Sequence, residues 1–183
     1  MHLDIVEIGT SDFRTDAGIN DGLFIEPVKE YFERLPDCRK ENVAISNREG
    51  EMHIYYIPSE VIKTNGFPSW LRGCNSVNKP HPTVVNMGLE KHLVKDTVKV
   101  VRIKTLLDKY NVKSIGLLKI DTEGHDCIIL DDFLDTCDFK PGKIQFEANI
   151  LSDKAQVDNS IKRLESMGYA CKKVKFDMVC VLL

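Results

Sequence analysis

The sequence predicts an α/β fold built on a mostly parallel β-sheet that is covered by helices on both faces. Short runs of β-forming residues alternate with segments whose apolar residues recur at helical spacing. The run Ser114–Ile120 is apolar almost throughout, as expected of a strand buried in a parallel sheet. The chain has 183 residues, of which 43% are hydrophobic and 29% are charged, values typical of one globular domain.

The first part of the chain alternates strand-like and helical patterns. Pro27 follows the second strand-like run and is favoured at the first position of a helix, where no N–H is needed. The predicted elements are strands over Leu3–Ile8, Leu23–Ile25, Asn42–Ser46 and 52–57, and a helix with Val28, Tyr31, Phe32 and Leu35 on its apolar face.

Residues 58–96 show no regular periodicity, and we predict that they form a long loop on the substrate side of a single domain spanning residues 1–183. This segment holds four of the seven prolines and the only tryptophan, Trp70. Loops of this length inside a compact domain are uncommon and usually functional or disordered. We therefore expect the segment to cover a binding site.

Regular patterns return after this segment. Thr105 and Asp108 have the spacing of a capping box, Ser152 is a candidate helix cap, and Gly168 is a candidate helix stop. The turn at Asp177 is so short that the strands beside it must be antiparallel. The predicted elements are strands over Val98–Ile103, Ser114–Ile120, Lys143–Phe146, Tyr169–Phe176 and Met178–Leu182, and helices that begin at Thr105, Asp126 and Ser152.

Composition and charge exclude several classes of protein. A net charge of −3 argues against a general nucleic-acid binder, which carries a strong basic excess. No leader pattern is recognised and no apolar stretch approaches the roughly 20 residues of a membrane span, so we expect a cytoplasmic protein that does not enter a membrane. The six cysteines form no CxxC pair, and we expect reduced, mostly buried thiols.

Acidic side chains stand at the ends of four predicted strands. They are Glu7, Glu26, Asp121 with Glu123, and Glu147. Parallel strands bind ligands outside their carboxyl ends, so these acids are expected at one rim of the sheet. Their repulsion would raise their pKa values unless a cation or a hydrogen-bond donor lay among them. The sequence therefore predicts a binding site at this rim.

Glu26 indicates the kind of ligand. A carboxylate after the second strand, about twenty residues beyond a glycine turn, is placed to accept both hydroxyls of an adenosine ribose. The turn GTSDFRTDAG lacks the GxGxxG pattern: the next glycine after Gly9 is Gly18, and Phe13 stands where a second close-approach glycine would be expected. A dinucleotide pyrophosphate needs the close backbone approach that such glycines allow, whereas S-adenosylmethionine, which has no phosphates, needs it less.

Four motifs resemble those of the FkbM-type methyltransferases. They are ExG at Glu7–Gly9, FIEP at Phe24–Pro27, NVAISNREGE at Asn42–Glu51 and LLKIDTEGHD at Leu117–Asp126. The resemblance extends from about residue 4 to residue 150. It implies an S-adenosylmethionine-dependent enzyme with a Rossmann-like three-layer sandwich, in which the last strand of a seven-stranded sheet is antiparallel. The C-terminal hairpin is compatible with that strand.

The resemblance also implies a set of cofactor-binding residues: Glu7, Gly9, Thr10, Ser11, Glu26, Ala44 and Asp121. The glycine turn would hold the methionine part of the cofactor, with the ExG acid fixing that turn. Glu26 would accept the ribose hydroxyls, and Ala44 would lie near the adenine. Asp121 would face the amino group or the reacting centre, where its charge favours the sulfonium cation.

Methyl transfer to a hydroxyl needs the acceptor oxygen ~3 Å from the methyl group and a base that removes its proton. The candidate catalytic residues are Asp121, Glu123 and His125, with Glu123 and His125 as candidate bases. The segment WLRGCNS supplies the candidate acceptor contacts Trp70, Arg72, Asn75 and Ser76. The expected acceptor is a small molecule, for example a sugar, and Mg²⁺ is allowed by the chemistry but not expected.

Other functions stay open at this point. A divalent-metal-dependent hydrolase or phosphodiesterase would use Asp121, Glu123, His125 and Glu147 as ligands of the metal ion. A methyltransferase could also hold Mg²⁺ through Asp121, Glu147 and Asn149 to orient an acceptor hydroxyl. The missing GxGxxG disfavours a nicotinamide-dependent oxidoreductase, and Phe13 favours a non-catalytic relative that only binds the cofactor.

Overall fold

The computed structural model describes residues 1–11, 21–149 and 151–183, so Phe13 and Gly18 lie outside the described residues. The strands are β1 (His2–Ile8), β2 (Gly22–Ile25), β3 (Lys40–Glu41), β4 (Ala44–Ile45), β5 (Gly50–Tyr56), β6 (Ser76–Val77), β7 (Val94–Val101), β8 (Ser114–Ile120), β9 (Lys143–Glu147), β10 (Tyr169–Val174) and β11 (Asp177–Leu182). The helices are α1 (Lys29–Phe32), α2 (Ser59–Thr64), α3 (Pro82–Asn86), α4 (Ile103–Lys109), α5 (Asp126–Thr136) and α6 (Lys154–Ser166).

Seven strands form one sheet in the order β10-β11-β9-β8-β1-β2-β3. The neighbouring pairs β9–β8, β8–β1, β1–β2 and β2–β3 are parallel. β11 is antiparallel to both β9 and β10. The mostly parallel seven-stranded sheet with an antiparallel C-terminal hairpin is therefore confirmed. The chain moves outward from β1 to β3 and then returns to the other side of β1 as β8. Strand order thus reverses between β1 and β8, the place where open α/β sheets bind ligands.

The main core lies between this sheet and the helices α4, α5 and α6. α5 packs on β8 and β9 and contacts α4 and α6, and α6 also packs on β10. Leu118, Phe133 and Phe146 are among the fully buried side chains of this core. On the other face, Phe24 packs with Leu35, which follows α1. Helical cover of this second face stays a prediction.

The segment 58–96 is folded, and the expectation of an irregular loop was wrong. It contains α2, α3, β6, the start of β7 and two short 3-10 turns at Ser69–Gly73 and Glu90–His92. Ile57, Ile62 and Val84 pack together in a separate apolar cluster. Each element is shorter than two helical turns, so none of them is long enough to show a period in the sequence.

A second, four-stranded sheet has the order β4-β7-β5-β6. The predicted strand Asn42–Ser46 is confirmed only at Ala44–Ile45, and it joins this small sheet through parallel pairing with β7. The strand expected at Val98–Ile103 begins earlier, at Val94, and ends at Val101, because Ile103 starts α4. β5 pairs with β7 and β6 in antiparallel register.

Two predicted helix caps were wrong by a few residues. α4 begins before Thr105, whose hydroxyl donates to Glu49 Oε1 at 2.6 Å. α6 is capped by Asp153, whose Oδ1 accepts from Gln156 N at 2.9 Å, and not by Ser152. The helix after Pro27 spans a single turn, α1. No helix in the described ranges is long and apolar enough to cross a membrane.

Two cysteines form a bond that the sequence did not indicate. Cys171 and Cys180 face each other across the antiparallel pair β10–β11 and form a disulfide. The other four, Cys38, Cys74, Cys127 and Cys137, are free. The expectation that all six thiols are reduced was therefore wrong. Cross-strand pairing brings the two sulfur atoms together, and sequence spacing alone does not reveal that register.

Candidate active site

A cavity of about 670 Å³ lies at the carboxyl ends of β1, β2, β8 and β9, with residues of the small sheet on another wall. Most of the predicted site residues line it together. They are Gly9, Thr10, Ser11, Glu26, Ala44, Trp70, Asn75, Ser76, Asp121, Glu123, His125 and Glu147. The structure therefore brings residues from distant parts of the sequence to the one rim that the strand pattern predicted.

Gly9 joins the ends of β1 and β8 through a very close backbone approach. A Cβ atom at this position would lie 1.9 Å from the carbonyl oxygen of Asp121, and the residue has a φ of +83°. Gly9 N also donates to Ile25 O at 2.9 Å. Only glycine allows this conformation and this approach together, so the turn lies directly against Asp121.

The Glu26 carboxylate is held by backbone N–H groups on two sides. Oε2 accepts from Ser11 N at 2.6 Å, and Oε1 accepts from Val28 N at 2.7 Å. These bonds orient the buried carboxylate at the end of β2. The carboxylate lines the cavity at the place where the sequence predicts the contact to a ribose.

Three carboxyl groups meet at the other side of the cavity. Oxygen atoms of Asp121, Glu123 and Glu147 all lie within 4.8 Å of one another. Asp121 is exposed to the cavity, and partial desolvation by the surrounding protein, together with the Glu123 charge, raises the pKa of Asp121 to about 6. Desolvation, followed by the charges of Glu123, Asp126 and Asp121, raises the pKa of Glu147 to about 9.

Asp126 braces the turn that carries these acids. Its Oδ2 accepts from the Thr122 hydroxyl at 2.9 Å, and its Oδ1 accepts from Glu147 N at 3.1 Å. The side chain thus connects the end of β8 to the end of β9. Burial raises the pKa of Asp126 to about 7, although these hydrogen bonds oppose the shift. The role of Asp126 is structural.

Glu123 is held by a histidine that the sequence did not point to. His81 Nε2 lies 3.0 Å from Glu123 Oε2, and His81 Nδ1 accepts from Thr83 N at 3.1 Å. Because Nδ1 accepts a backbone N–H, the proton of the neutral ring is on Nε2 and is donated to Glu123. Glu123 also has a φ of +54°, an uncommon conformation for a residue other than glycine.

His125 lines the cavity beside the end of β4. Its Nε2 is 3.0 Å from the Ser46 hydroxyl, which in turn donates to Asn47 Oδ1. Desolvation, aided by the charge of Arg48, lowers the pKa of His125 and favours the neutral ring. Of the two candidate bases, His125 is therefore turned toward the end of β4, and Glu123 is held by the segment 58–96.

Three of the four predicted acceptor residues, Trp70, Asn75 and Ser76, line the cavity, whereas the lining does not include Arg72. Trp70 is 49% exposed at the cavity rim, and Ser76 is buried in β6, where its hydroxyl donates to Lys79 O at 2.6 Å. Asn75 Nδ2 donates to the carbonyl of Arg72 at 2.7 Å, and the Ser11 hydroxyl lies 3.4 Å from the same carbonyl. Asn75 and Ser76 are thus wall residues of the cavity that also contains the glycine turn.

Glu7 is fully buried and forms an ion pair with Lys119, whose Nζ is 2.5 Å from Glu7 Oε1. Lys119 lines the cavity and belongs to the KIDTEG stretch. Glu7, the acid of the ExG motif, therefore connects β1 to β8. The sequence missed Lys119 and His81, because the partner of each lies far away along the chain.

Asn149, a residue of the alternative magnesium site, is hydrogen bonded on both sides of its amide. Asn149 Nδ2 donates to Glu147, and Asn149 Oδ1 accepts from Leu151 N at 2.7 Å, so the amide oxygen is already engaged. Among the carboxylate, histidine and cysteine groups of the described ranges, Asp121, Glu123 and Glu147 have the spacing of a metal site. The alternative set of Asp121, Glu147 and Asn149 stays a prediction.

The chain matches the family model of the methyltransferase FkbM domain over residues 8–171. It therefore belongs to the FkbM methyltransferase family. No curated protein and no solved structure matches the chain. The family resemblance of the motifs is confirmed and covers most of the chain, and it does not favour a metal-dependent hydrolase.

Substitution of Gly9 tests the close approach. Gly9→Ala should lower the free energy of unfolding by about 3 kcal/mol, because the new methyl group meets the Asp121 carbonyl and the backbone must shift. Gly88→Ala is a matched control, since Gly88 has a φ of +67° but no atom within 4 Å of its Cβ position; it should cost only about 1 kcal/mol. Urea unfolding measures both, and equal costs would contradict the contact.

Removal of one acid should stabilise the protein. The raised pKa of Glu147 means that the fold favours its protonated form. The contribution of this group to stability is therefore fully present below pH 4.5 and is lost as the pH rises through about 9. Glu147→Gln should therefore raise stability at pH 8 by about 1 kcal/mol or more, or roughly 2–4 °C in Tm. The gain should disappear at pH 4.5. Glu51→Gln, at an exposed position, should change neither value, and an unchanged Glu147→Gln would argue against repulsion in the cluster.

Proposed function

We propose that the protein transfers the methyl group of S-adenosylmethionine to a hydroxyl group of a small molecule. The observation that carries this proposal is one cavity at the reversal of strand order that joins the Gly9 turn, Glu26 and the acids after β8 and β9. Membership of the FkbM methyltransferase family supports it. We infer that the sheet is Rossmann-like, because strand order reverses beside β1 as in doubly wound folds.

The polar groups of the cavity fit this cofactor. Glu26 lines the cavity, with its carboxylate oriented by Ser11 N and Val28 N, and a carboxylate at this place suits the hydroxyls of a ribose. Asn75 Oδ1 is buried and has no hydrogen-bond partner within the described residues, so it is an available acceptor for an N–H group of the ligand. Ala44, Ile54 and nearby apolar residues supply a wall for the adenine ring.

The acids fit a ligand with a positive charge. Asp121 and Glu147 hold protons more readily than usual because they are desolvated and lie among like charges. A cation beside them stabilises their charged forms, and a sulfonium or ammonium group is such a cation. When bound, S-adenosylmethionine supplies an activated methyl group, and the chain positions the acceptor and accepts its proton.

Glu123 is the base that this geometry favours. It faces the cavity, and His81 holds its carboxylate from the side. A neutral hydroxyl must lose its proton as it attacks carbon, and a carboxylate within hydrogen-bond reach can take that proton.

Cofactor binding is the first test. We expect S-adenosylhomocysteine, the stable product, to bind with micromolar affinity in isothermal titration, and Glu26→Ala to weaken binding by about tenfold or more through loss of the ribose contacts. Glu33→Ala removes an exposed acid after α1 and should have no effect. Thermal unfolding of both variants checks that they are folded. Absence of binding to the unmodified protein would refute the proposed cofactor.

The affinity for S-adenosylmethionine should depend on pH. Because the pKa of Asp121 is about 6, its carboxyl group is mostly protonated at pH 5 and mostly ionised at pH 7, so binding of a sulfonium should strengthen about tenfold over this range. Methylthioadenosine has neither the sulfonium nor the α-amino group of the methionine part, and its affinity should stay nearly constant. Asp121→Asn should flatten the profile of S-adenosylmethionine. The same pH profile for both ligands would place the cation away from Asp121.

A further inference from the structure

A second cavity of about 1140 Å³ opens beside the first, between the N-terminal half of α6, the hairpin β10–β11 and the Trp70 turn. Its walls are mainly apolar. They include Trp70, Leu151, Val157, Ile161, Phe176 and Met178. Two of these side chains are large and exposed, Phe176 at 70% and Trp70 at 49%. An opening with exposed aromatic side chains at its rim is typical of a binding surface.

Glu123 connects the two cavities, because it lines both of them. His81 lines the second cavity as well and donates to Glu123 at 3.0 Å. Glu123 therefore borders the second cavity, whose lining includes neither the Gly9 turn nor Glu26. A molecule in the second cavity can bring a polar group to Glu123 without displacing a ligand from the ribose end of the first.

The lining of the second cavity has a small excess of positive charge. Three lysines line it, Lys154, Lys173 and Lys175, together with two acids, Asp158 near the lysines and Glu123 at the boundary with the first cavity. Lys173 Nζ donates to Ala148 O at 2.9 Å, and all three lysines are exposed. An apolar groove with excess positive charge at its mouth complements a molecule that has an apolar body and an anionic group.

We propose that the second cavity is the acceptor site and that it takes a small apolar molecule with one anionic group and the hydroxyl to be methylated. This proposal rests on the proposed methyltransferase function. The acceptor oxygen forms a bond to the methyl carbon of S-adenosylmethionine, and the carbon–sulfur bond breaks with its electron pair left on sulfur. The hydroxyl proton passes to the Glu123 carboxylate. A free sugar, which is polar on most sides, fits this groove poorly.

Two fluorescent probes test the chemical class. Anilinonaphthalene sulfonate has an apolar body and an anionic group, and phenylnaphthylamine is a neutral relative. Trp70 is the only tryptophan of the chain and lines both cavities, so energy transfer from Trp70 reports a dye bound in either of them, and variants of residues that line only the second cavity distinguish the two. We expect both dyes to bind with energy transfer, the sulfonate more tightly.

Variants locate the dye. Ile161→Gln places a polar group in the wall and should weaken both dyes about fivefold, and Phe176→Ala, at an exposed position that the fold tolerates, should do the same. Lys154→Gln should weaken only the sulfonate, by about threefold. Met87→Ala removes an exposed apolar side chain outside the groove, 41% exposed, and should change neither affinity.

The outcomes separate this proposal from the cofactor assignment. Unchanged dye affinities in both Ile161→Gln and Phe176→Ala would overturn the site, and equal binding of the two dyes would overturn the anionic class. Isothermal titration with S-adenosylhomocysteine is run on the same proteins, and Ile161→Gln should leave that affinity unchanged. If S-adenosylhomocysteine fails to bind the unmodified protein while the dyes bind as expected, the proposed function fails and the groove is not an acceptor site.

Discussion

The backbone contact between Gly9 and the carbonyl of Asp121 is the constraint on which the rest of the site depends. It joins the carboxyl ends of two adjacent parallel strands at the point where strand order reverses. Because no side chain intervenes, the glycine turn of β1 and the acids after β8 open into the same cavity. The turn can then contribute Ser11 N to orient Glu26 from the neighbouring strand.

The same close packing explains the electrostatics. Acids that follow neighbouring strands are brought within a few ångströms of one another, and partial desolvation followed by mutual repulsion raises the pKa values of Asp121 and Glu147. Asp126 keeps β8 and β9 together in spite of this repulsion, through Thr122 and Glu147 N. The cluster therefore lowers the stability of the free protein, and a positively charged ligand can offset that cost. This is a common compromise at functional sites.

The segment 58–96 adds a further wall to the cavity at the sheet rim. It is folded around its own small apolar cluster, which fixes the position of His81 at the start of α3. His81 in turn holds Glu123, so the base is oriented by a residue outside the parallel sheet. Trp70, from the same segment, stands at the rim of both cavities. A compact cover of this kind positions side chains more firmly than an irregular loop, because its residues are locked by packing.

The sequence by itself determined the sheet, the family and the rim where the site lies. Apolar runs that end in Glu26, Asp121 and Glu147 mark parallel strands and their ligand-binding ends, because both signals are local along the chain. Only the tertiary structure decided which side chains meet. The His81–Glu123 and Glu7–Lys119 pairs and the disulfide join residues whose contact depends on strand register and on the packing of short elements, and no local pattern encodes either of these.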